Sequence, residues 1–326
     1  MLLADMGAEV IKVEPPGGDP MRAVFPHTYE VINRKKHILE MDLKSESDRI
    51  RRMLQGADVL IENFRPGRLT KYGLDFDALR QGCPHLVYAS IYGYGSATSW
   101  AGEPGHDLAY QAFSGMGWVP ASLRDEGDRP VKPNFPLSDV GSGLWAAMAI
   151  LGALRVSEEG AQHIEIAMAD VMLHFTDLRA HARMTGLDNS APWAHLSPTN
   201  DLFRTKDGEY IALSLVEDKF WRDLCELLGR SDLAKWESHT SRLQRGKEVL
   251  AALDEEFGQR TLLEWETALS SRKLPFAVVQ TPDRVKEWTY ARERGIFFAD
   301  EKEQLGVHLP WMRNGRWIGA SDSESS

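Results

Sequence analysis

Two residues of opposite acid–base character, His106 and Asp139, each stand at the head of a helix-like segment. His106 follows the Gly-rich run Tyr92-Gly93-Tyr94-Gly95 and Gly105, and it opens Asp107-Leu108-Ala109-Tyr110-Gln111-Ala112. Asp139 follows Phe135-Pro136-Leu137-Ser138. It precedes Val140-Gly141-Ser142-Gly143 and a strongly apolar segment, 144–154. Two readings fit Asp139. As a cap, its carboxylate would accept the unpaired N–H groups of a helix start. As a catalytic group, it would sit at the positive end of a helix and share proton transfer with a histidine. The only cysteines, Cys83 and Cys225, lie far apart and outside any Cys/His metal-ligand spacing. They read as two free, buried thiols of a reducing cytoplasm, and no metal site is expected.

Elements that could carry these residues alternate along the chain. Strands are expected at 9–14, 37–43, 58–63, 86–91 and 163–168, from β-branched and apolar runs bounded by Gly and Pro. Helices are expected at 45–55, 75–80 and 170–183. Such alternation implies an α/β fold with a mostly parallel sheet, whose ligands bind at the carboxyl ends of the strands. That gathers 14–20, 63–67 and 92–95 at one rim. Residues 1–7 read as the end of a helix closed by Gly7. A helix feeding a strand normally follows another strand, so a first strand and loop are expected ahead of residue 1. Basic side chains recur near the rim: Arg34, Lys35, Lys36, Lys44, Arg65, Arg68 and Lys71. They suit either a solvated face or a phosphate-rich ligand. No GxGxxG or GxxxxGK[ST] follows a strand, which argues against a dinucleotide oxidoreductase or a P-loop enzyme.

The second half changes character. A hairpin is expected from 202–205 and 210–215 around Lys206-Asp207-Gly208, with helices at 219–228, 244–257, 262–271 and 283–294 and a strand at 276–280. The expected organisation is a large domain at 1–190, a linker at 191–200 and a smaller α+β domain at 201–298. A return segment with a disordered tail follows at 299–326. At 326 residues, 43% hydrophobic and 26% charged, the composition is that of an ordinary globular chain with room for two lobes. A net charge of −10 argues against nucleic acid and membrane-surface partners. The apolar run 144–154 is too short to span a bilayer.

Longer motifs carry a resemblance. Leu3-Ala4-Asp5-Met6-Gly7-Ala8-Glu9-Val10-Ile11-Lys12-Val13-Glu14-Pro15-Pro16-Gly17-Gly18-Asp19-Pro20 resembles the N-terminal signature of the family III CoA-transferases, the CaiB/BaiF family. Asp58-Val59-Leu60-Ile61-Glu62-Asn63-Phe64-Arg65-Pro66-Gly67 is similar to its second signature, and Phe203-Arg204-Thr205-Lys206-Asp207-Gly208 to the start of its small domain. The resemblance covers nearly the whole chain. It implies a Rossmann-like large domain, a small domain, an interlocked homodimer and an acyl-CoA substrate, with coenzyme A as part of the substrate and no prosthetic group.

By the same resemblance the family's essential aspartate falls on Asp139. In transferases it attacks the thioester as a nucleophile. In the α-methylacyl-CoA racemases it shares α-proton transfer with a histidine that falls on His106, and a further carboxylate falls on Glu217. The CoA-contacting positions fall on Met41, Asp42, Leu43, Lys44, Asn63, Phe64, Arg65 and Lys71. The glycine quartet of formyl-CoA transferase has no counterpart between Asn200 and Val216. His106, Glu217 and that absence lean to the racemase branch. A CoA transferase using Asp139 is the alternative, and a shortened CoA-binding homologue without catalysis is a third reading. The strand and loop ahead of residue 1 and part of the C-terminal segment are the two departures from the family pattern.

Overall fold

The computed structural model describes residues 1–124, 130–156, 160–186, 196–299, 305–314 and 316–317. Two units form: Met1–Ser114, Phe135–Met172 and Asp283–Ser326 make the first, and Gly115–Asn134 with Leu173–Pro282 make the second. The first unit is therefore discontinuous, unlike the contiguous 1–190 expected from the sequence. Much of the expected linker lies outside the described residues. Its last part is not a solvated tether, because Leu196 and Thr199 are buried and the Thr199 hydroxyl donates to the Leu215 carbonyl at 2.6 Å.

The first unit begins with α1 (Leu2–Asp5), β1 (Val10–Glu14), α2 (Met21–Val24), α3 (Pro26–Asn33), β2 (Lys36–Glu40) and α4 (Leu43–Leu54). It continues through β3 (Val59–Glu62), α5 (Phe76–Leu79), β4 (Val87–Tyr92), α6 (Asp107–Phe113), α7 (Leu137–Arg155), β5 (Gln162–Ala167) and the start of α8 (Met168–Met184). β1 pairs with β2, β3 with β4 and β4 with β5, all parallel. The expected parallel pairing forms, but as a two-stranded and a three-stranded ladder rather than one sheet. Among the described residues β1 and β3 each keep one edge without a ladder partner, and their side chains Ile11 and Ile61 stay exposed. β4 has neighbours on both sides, and Val87, Tyr88 and Ala89 are buried accordingly.

α7 is longer than the apolar run 144–154 suggested. It spans 19 residues and is apolar enough, by length and composition, to cross a membrane. Its small residues explain why it instead packs on the sheet. Ala146, Ala147, Ile150 and Ala153 are buried, and Ile150 and Ala153 cluster with Val87 and Ala89 of β4. Val140, Leu144, Met148 and Leu151 form an exposed stripe at helical spacing on another side.

A buried carboxylate ties the turn after β1. Glu14 accepts from the Tyr29 hydroxyl at 2.5 Å, the Asp19 N–H at 3.0 Å and Arg22 at 3.0 Å, with Lys12 at 2.9 Å. Burial alone would raise its carboxyl. The hydrogen bonds from Tyr29 and Lys12, the Asp19 N–H and Arg22 outweigh that and hold it down at about 2.

The second unit contains β6 (Asn200–Arg204), β7 (Tyr210–Ser214), α9 (Asp218–Leu228), α10 (Ser231–Ala234), α11 (His239–Gln244), α12 (Gly246–Phe257), α13 (Leu262–Ser271) and β8 (Phe276–Val278). β6–β7 is the expected antiparallel hairpin, turning at Gly208 with φ +87, and β8 adds antiparallel to β7. Its core stacks Phe203 on Phe257 at 4.9 Å and Phe257 on Trp265 at 4.5 Å. The helix expected at 283–294 breaks at Trp288, whose ψ of 129 is extended. A 3-10 turn, Val285–Glu287, precedes α14 (Thr289–Arg294). The antiparallel pairs β9 (Phe297–Ala299) with β10 (Leu305–Val307) and β11 (Met312–Arg313) with β12 (Arg316–Trp317) follow. The expected disordered tail lies outside the described residues.

Candidate active site

The α6 and α7 starts are joined by one carboxylate. His106 is the residue before α6, in extended conformation at φ −133, and makes no side-chain cap bond. α7 follows Pro136, which has no side chain able to cap it. The missing cap comes from α6. Asp107 Oδ1 accepts from the Ser138 N–H at 2.8 Å and from the Ser138 hydroxyl at 2.7 Å. Asp107 Oδ2 accepts from Gln111, one turn along α6, and Gln111 also donates to the Phe135 carbonyl at 3.2 Å. Asp139 is thus the third residue of α7 rather than its cap, and its carboxylate has no protein hydrogen bond among the described residues.

Asp139 and His106 are exposed in the single chain and close enough for their charges to interact, with no ion pair between them. Although solvent reaches it, the protein crowded around Asp139 desolvates its carboxyl and raises it. The Asp107 carboxylate adds to that rise, and His106 opposes it. Beneath lies Tyr110, buried, its phenol raised by burial and by the nearby Tyr94 and Asp139, with Arg65 pulling it down. Tyr110 fits only because two neighbours lack a Cβ. One at Gly93 would stand 2.2 Å from the phenol oxygen, and one at Gly105 2.7 Å from the ring. The Gly-rich run and the residue before His106 are therefore moulded around this ring.

The Arg65 charge that acts on Tyr110 comes from the loop after β3. Asn63, Phe64 and Arg65 of that loop are exposed, and its start is held by the Phe64 N–H donating to buried Glu62 at 2.7 Å. A cavity of ≈ 210 Å³ opens beside it, lined by Arg65, Arg68, Thr70, Phe76, Tyr92 and His163 among others. Lys44 and Lys71 are exposed, Lys71 with its ammonium 4.8 Å from the Tyr72 ring centre. The remaining CoA-contact candidates do structural duty in their side chains. Met41 is buried at 1% exposure, Asp42 caps α4 by accepting from the Lys44 N–H at 3.0 Å, and half-buried Leu43 packs on that core. Two of the basic residues assigned to the rim point elsewhere: Arg34 pairs with Asp5, and Lys36 donates to Asn33 at 3.0 Å. Their charges are consumed inside the unit because buried Asp5 and Asn33 need partners.

Glu217 belongs to the second unit. It is exposed at the N-cap of α9 and makes no side-chain cap bond. The residues on either side of it are held by Arg242, which is fully buried. Its guanidinium donates to the Val216 carbonyl at 3.2 Å, to Asp218 at 2.9 Å and to the Glu237 carbonyl at 2.6 Å. Neither Asp107 nor Arg242 was among the residues singled out for chemistry by sequence reasoning. Asp107 reads from the sequence as a cap or structural residue, and it is a cap, for the start of α7; nothing local marks Arg242. Among the described residues no group of three or more His, Cys, Asp or Glu could hold a metal, and Cys83 and Cys225 are buried and free.

The profile of CoA-transferase family III matches residues 1–318. The chain belongs to that family. Relatives of this family III chain include the probable fatty acyl-CoA transferase Rv3272 of Mycobacterium tuberculosis, 34% identical over 86% of this chain and 77% of the relative. The cinnamoyl-CoA:phenyllactate CoA-transferase of Clostridium sporogenes is 29% identical over 85% of this chain and 73% of its own. Among solved structures, a CaiB/BaiF family protein from Brucella suis superposes with a TM-score of 0.83. It is 27% identical and aligns over 97% of this chain and 88% of that one. The family III assignment makes this an enzyme fold for acyl-CoA thioesters.

Proposed function

We propose that this chain moves CoA between carboxylic acids, with Asp139 as the nucleophile. The observation that carries the reading is the Asp139 carboxylate itself. It is set in the first turn of α7, unbonded to protein among the described residues, and made more basic by its surroundings. A more basic carboxylate is the better nucleophile. Its oxygen would attack the thioester carbonyl carbon, the C–S bond would break, and CoA thiolate would leave an acyl–aspartyl anhydride. Attack of that thiolate on the Asp139 carbonyl then releases the first acid and leaves an aspartyl–CoA thioester. The acceptor carboxylate repeats the two steps in reverse, and Asp139 is regenerated. The names of the relatives, a probable fatty acyl-CoA transferase, a cinnamoyl-CoA:phenyllactate CoA-transferase and a succinyl-CoA:mesaconate CoA-transferase, support this reading.

A second reading rests on His106. Its charge interaction with Asp139 across a gap free of direct bonding suits two bases facing an α-carbon, as a 2-methylacyl-CoA racemase requires. For either chemistry, Arg65, with Arg68, Lys44 and Lys71, would hold the CoA phosphates, and Asn63 and Phe64 would contact its nucleotide end. The cavity beside Arg65 is smaller than the ~300–1,000 Å³ usual for drug-sized ligands, so it would take one end of CoA only.

One experiment separates the readings. The enzyme is incubated with succinyl-, cinnamoyl- or a 2-methylacyl-CoA, with hydroxylamine in one arm and heavy water without acceptor acid in the other. Transfer predicts a hydroxylamine-trapped adduct on Asp139 and no α-deuterium. The racemase predicts α-deuterium uptake without an adduct. With Arg65→Ala the thioester KM should rise, by less at high salt.

The exposed stripe Val140, Leu144, Met148 and Leu151 on α7 supports a homodimer, and we assign it to a second copy of this chain. Such a contiguous apolar face is rarely left to water. Sedimentation velocity should show a dimer at micromolar concentration that Met148→Glu weakens. A wild-type monomer would remove the assignment.

A further inference from the structure

The geometry points to Asp107 as the positioning residue of the Asp139 centre, its carboxylate holding the α7 start against the α6 start so that His106 and Asp139 keep a fixed separation. This rests on the reading of Asp139 as the reacting carboxylate. Asp107 directly follows His106, and Ser138 directly precedes Asp139, so the Asp107–Ser138 contact lies one residue from each member of the pair. The contact is a double one, from the Ser138 N–H at 2.8 Å and the Ser138 hydroxyl at 2.7 Å, and Ser138 is completely buried. The other Asp107 oxygen is occupied by Gln111, itself buried, which also grips the Phe135 carbonyl ahead of α7. Both ends of the α7 entry, Phe135 and Ser138, therefore hang on one carboxylate of α6.

Several physical arguments make this more than a cap. An ordinary cap precedes its own helix; this one comes from 31 residues away in the chain. Both Asp107 oxygens accept, from Ser138 on one side and Gln111 on the other, so an amide there would keep one acceptor and turn its NH2 toward the remaining donor. Displacement of a reacting group by about 1 Å costs on the order of 10²-fold in rate. Asp107 also acts on Asp139 by charge. The charged groups that act on Asp139 are Asp107 and His106, and Asp139 in turn acts on the Tyr110 phenol, as Arg65 does with opposite sign. The Asp107 charge raises the Asp139 carboxyl, so its removal must lower it. A nucleophilic carboxylate works ionised, and the acid limb of the rate should then move to lower pH.

The test uses Asp107→Asn, Asp107→Ala and Ser138→Ala in the full-length chain. Succinyl-CoA or cinnamoyl-CoA serves as donor, whichever the wild type turns over. We expect kcat to fall about 10-fold in Asp107→Asn and about 100-fold in Asp107→Ala, with KM changed less than 3-fold. The acid limb should shift downward in both Asp107 variants and stay in place in Ser138→Ala. The Asp107→Ala and Ser138→Ala losses should not add, because the hydroxyl bond that Ser138→Ala removes is already gone in Asp107→Ala. Hydrogen exchange at Ser138, Asp139 and Val140 should accelerate at least 10-fold in Asp107→Ala, and this arm needs no turnover. Unaltered exchange there would overturn the proposal whatever the activity. So would a kcat loss with an unmoved acid limb, which would mark Asp107 as structural only. A wild type that yields neither adduct nor turnover would instead strike the Asp139 reading, with the exchange result still deciding the positioning contact.

Discussion

Asp139→Asn is expected to lower CoA transfer by at least about 10³-fold while leaving the fold intact. The substitution keeps the size of the side chain and removes only its nucleophilic oxygen. No protein hydrogen bond to the Asp139 carboxylate exists among the described residues to be lost, and the α7 start stays capped by Asp107 through Ser138. An exposed change of this kind alters stability by about 0.5 kcal/mol or less. His106→Ala should be the milder lesion if the carboxylate attacks the thioester, because the histidine then acts only by charge. Steady-state kinetics and thermal unfolding of the two variants check this together. Equal losses of 10³-fold in both, with α-deuterium exchange abolished in both, would turn the assignment to two-base proton transfer.

The largest stability effect is expected at Arg242. Arg242→Ala should destabilise the second unit by about 3–4 kcal/mol, from the lost buried hydrogen bonds and the emptied volume. The side chain is fully buried, spans two carbonyls and one carboxylate, and lies 5.5 Å from the Trp221 ring centre. Asp218 is 48% exposed, so water can compensate its loss of a partner. The Val216 and Glu237 carbonyls are the acceptors that the substitution strips. Calorimetric unfolding should show a fall of roughly 10 °C in one transition. Arg242→Met should recover part of it by refilling the space. A shift under about 2 °C for the alanine variant would mean that neither the guanidinium's bonds nor the stem's packing matters here, whereas full recovery in Arg242→Met would put the loss on the stem's packing alone.

Local patterning was enough for the strands. The alternation in Glu9–Glu14 and the apolar run before Tyr92 became β1 and β4, because backbone pairing and side-chain periodicity agree there. Boundaries failed where two candidates competed for one role. The α4 start moved ahead of Ser45 because Asp42 took the cap and the Ser45 hydroxyl donates to it at 2.9 Å. Charge type says little about destination: Arg34, Lys36 and Arg65 look alike in sequence, yet the first two serve buried partners and the third faces solvent. The places of His106 and Asp139, each beside glycines and at a helix start, were legible. The partners of Asp107 and Arg242 were not, since they are decided by which segments fold onto them and not by neighbours along the chain.

The two-part build of the first unit bears on the order in which the protein can fold. Arg34 holds Asp5 through a contact of short range. It also reaches the Val307 carbonyl at 3.5 Å, across 273 residues of sequence, beside the Phe298 ring. Between these partners lies nearly all of the second unit, Leu173–Pro282, an unbroken stretch with its own aromatic core. Bringing Val307 to Arg34 through an unfolded stretch of that length would carry a large loop-closure entropy, which compaction of the insert removes beforehand. β9 and β10 are therefore expected to dock on Arg34 after that stretch has compacted. The guanidinium of Arg34, already oriented by Asp5, is the catch they meet.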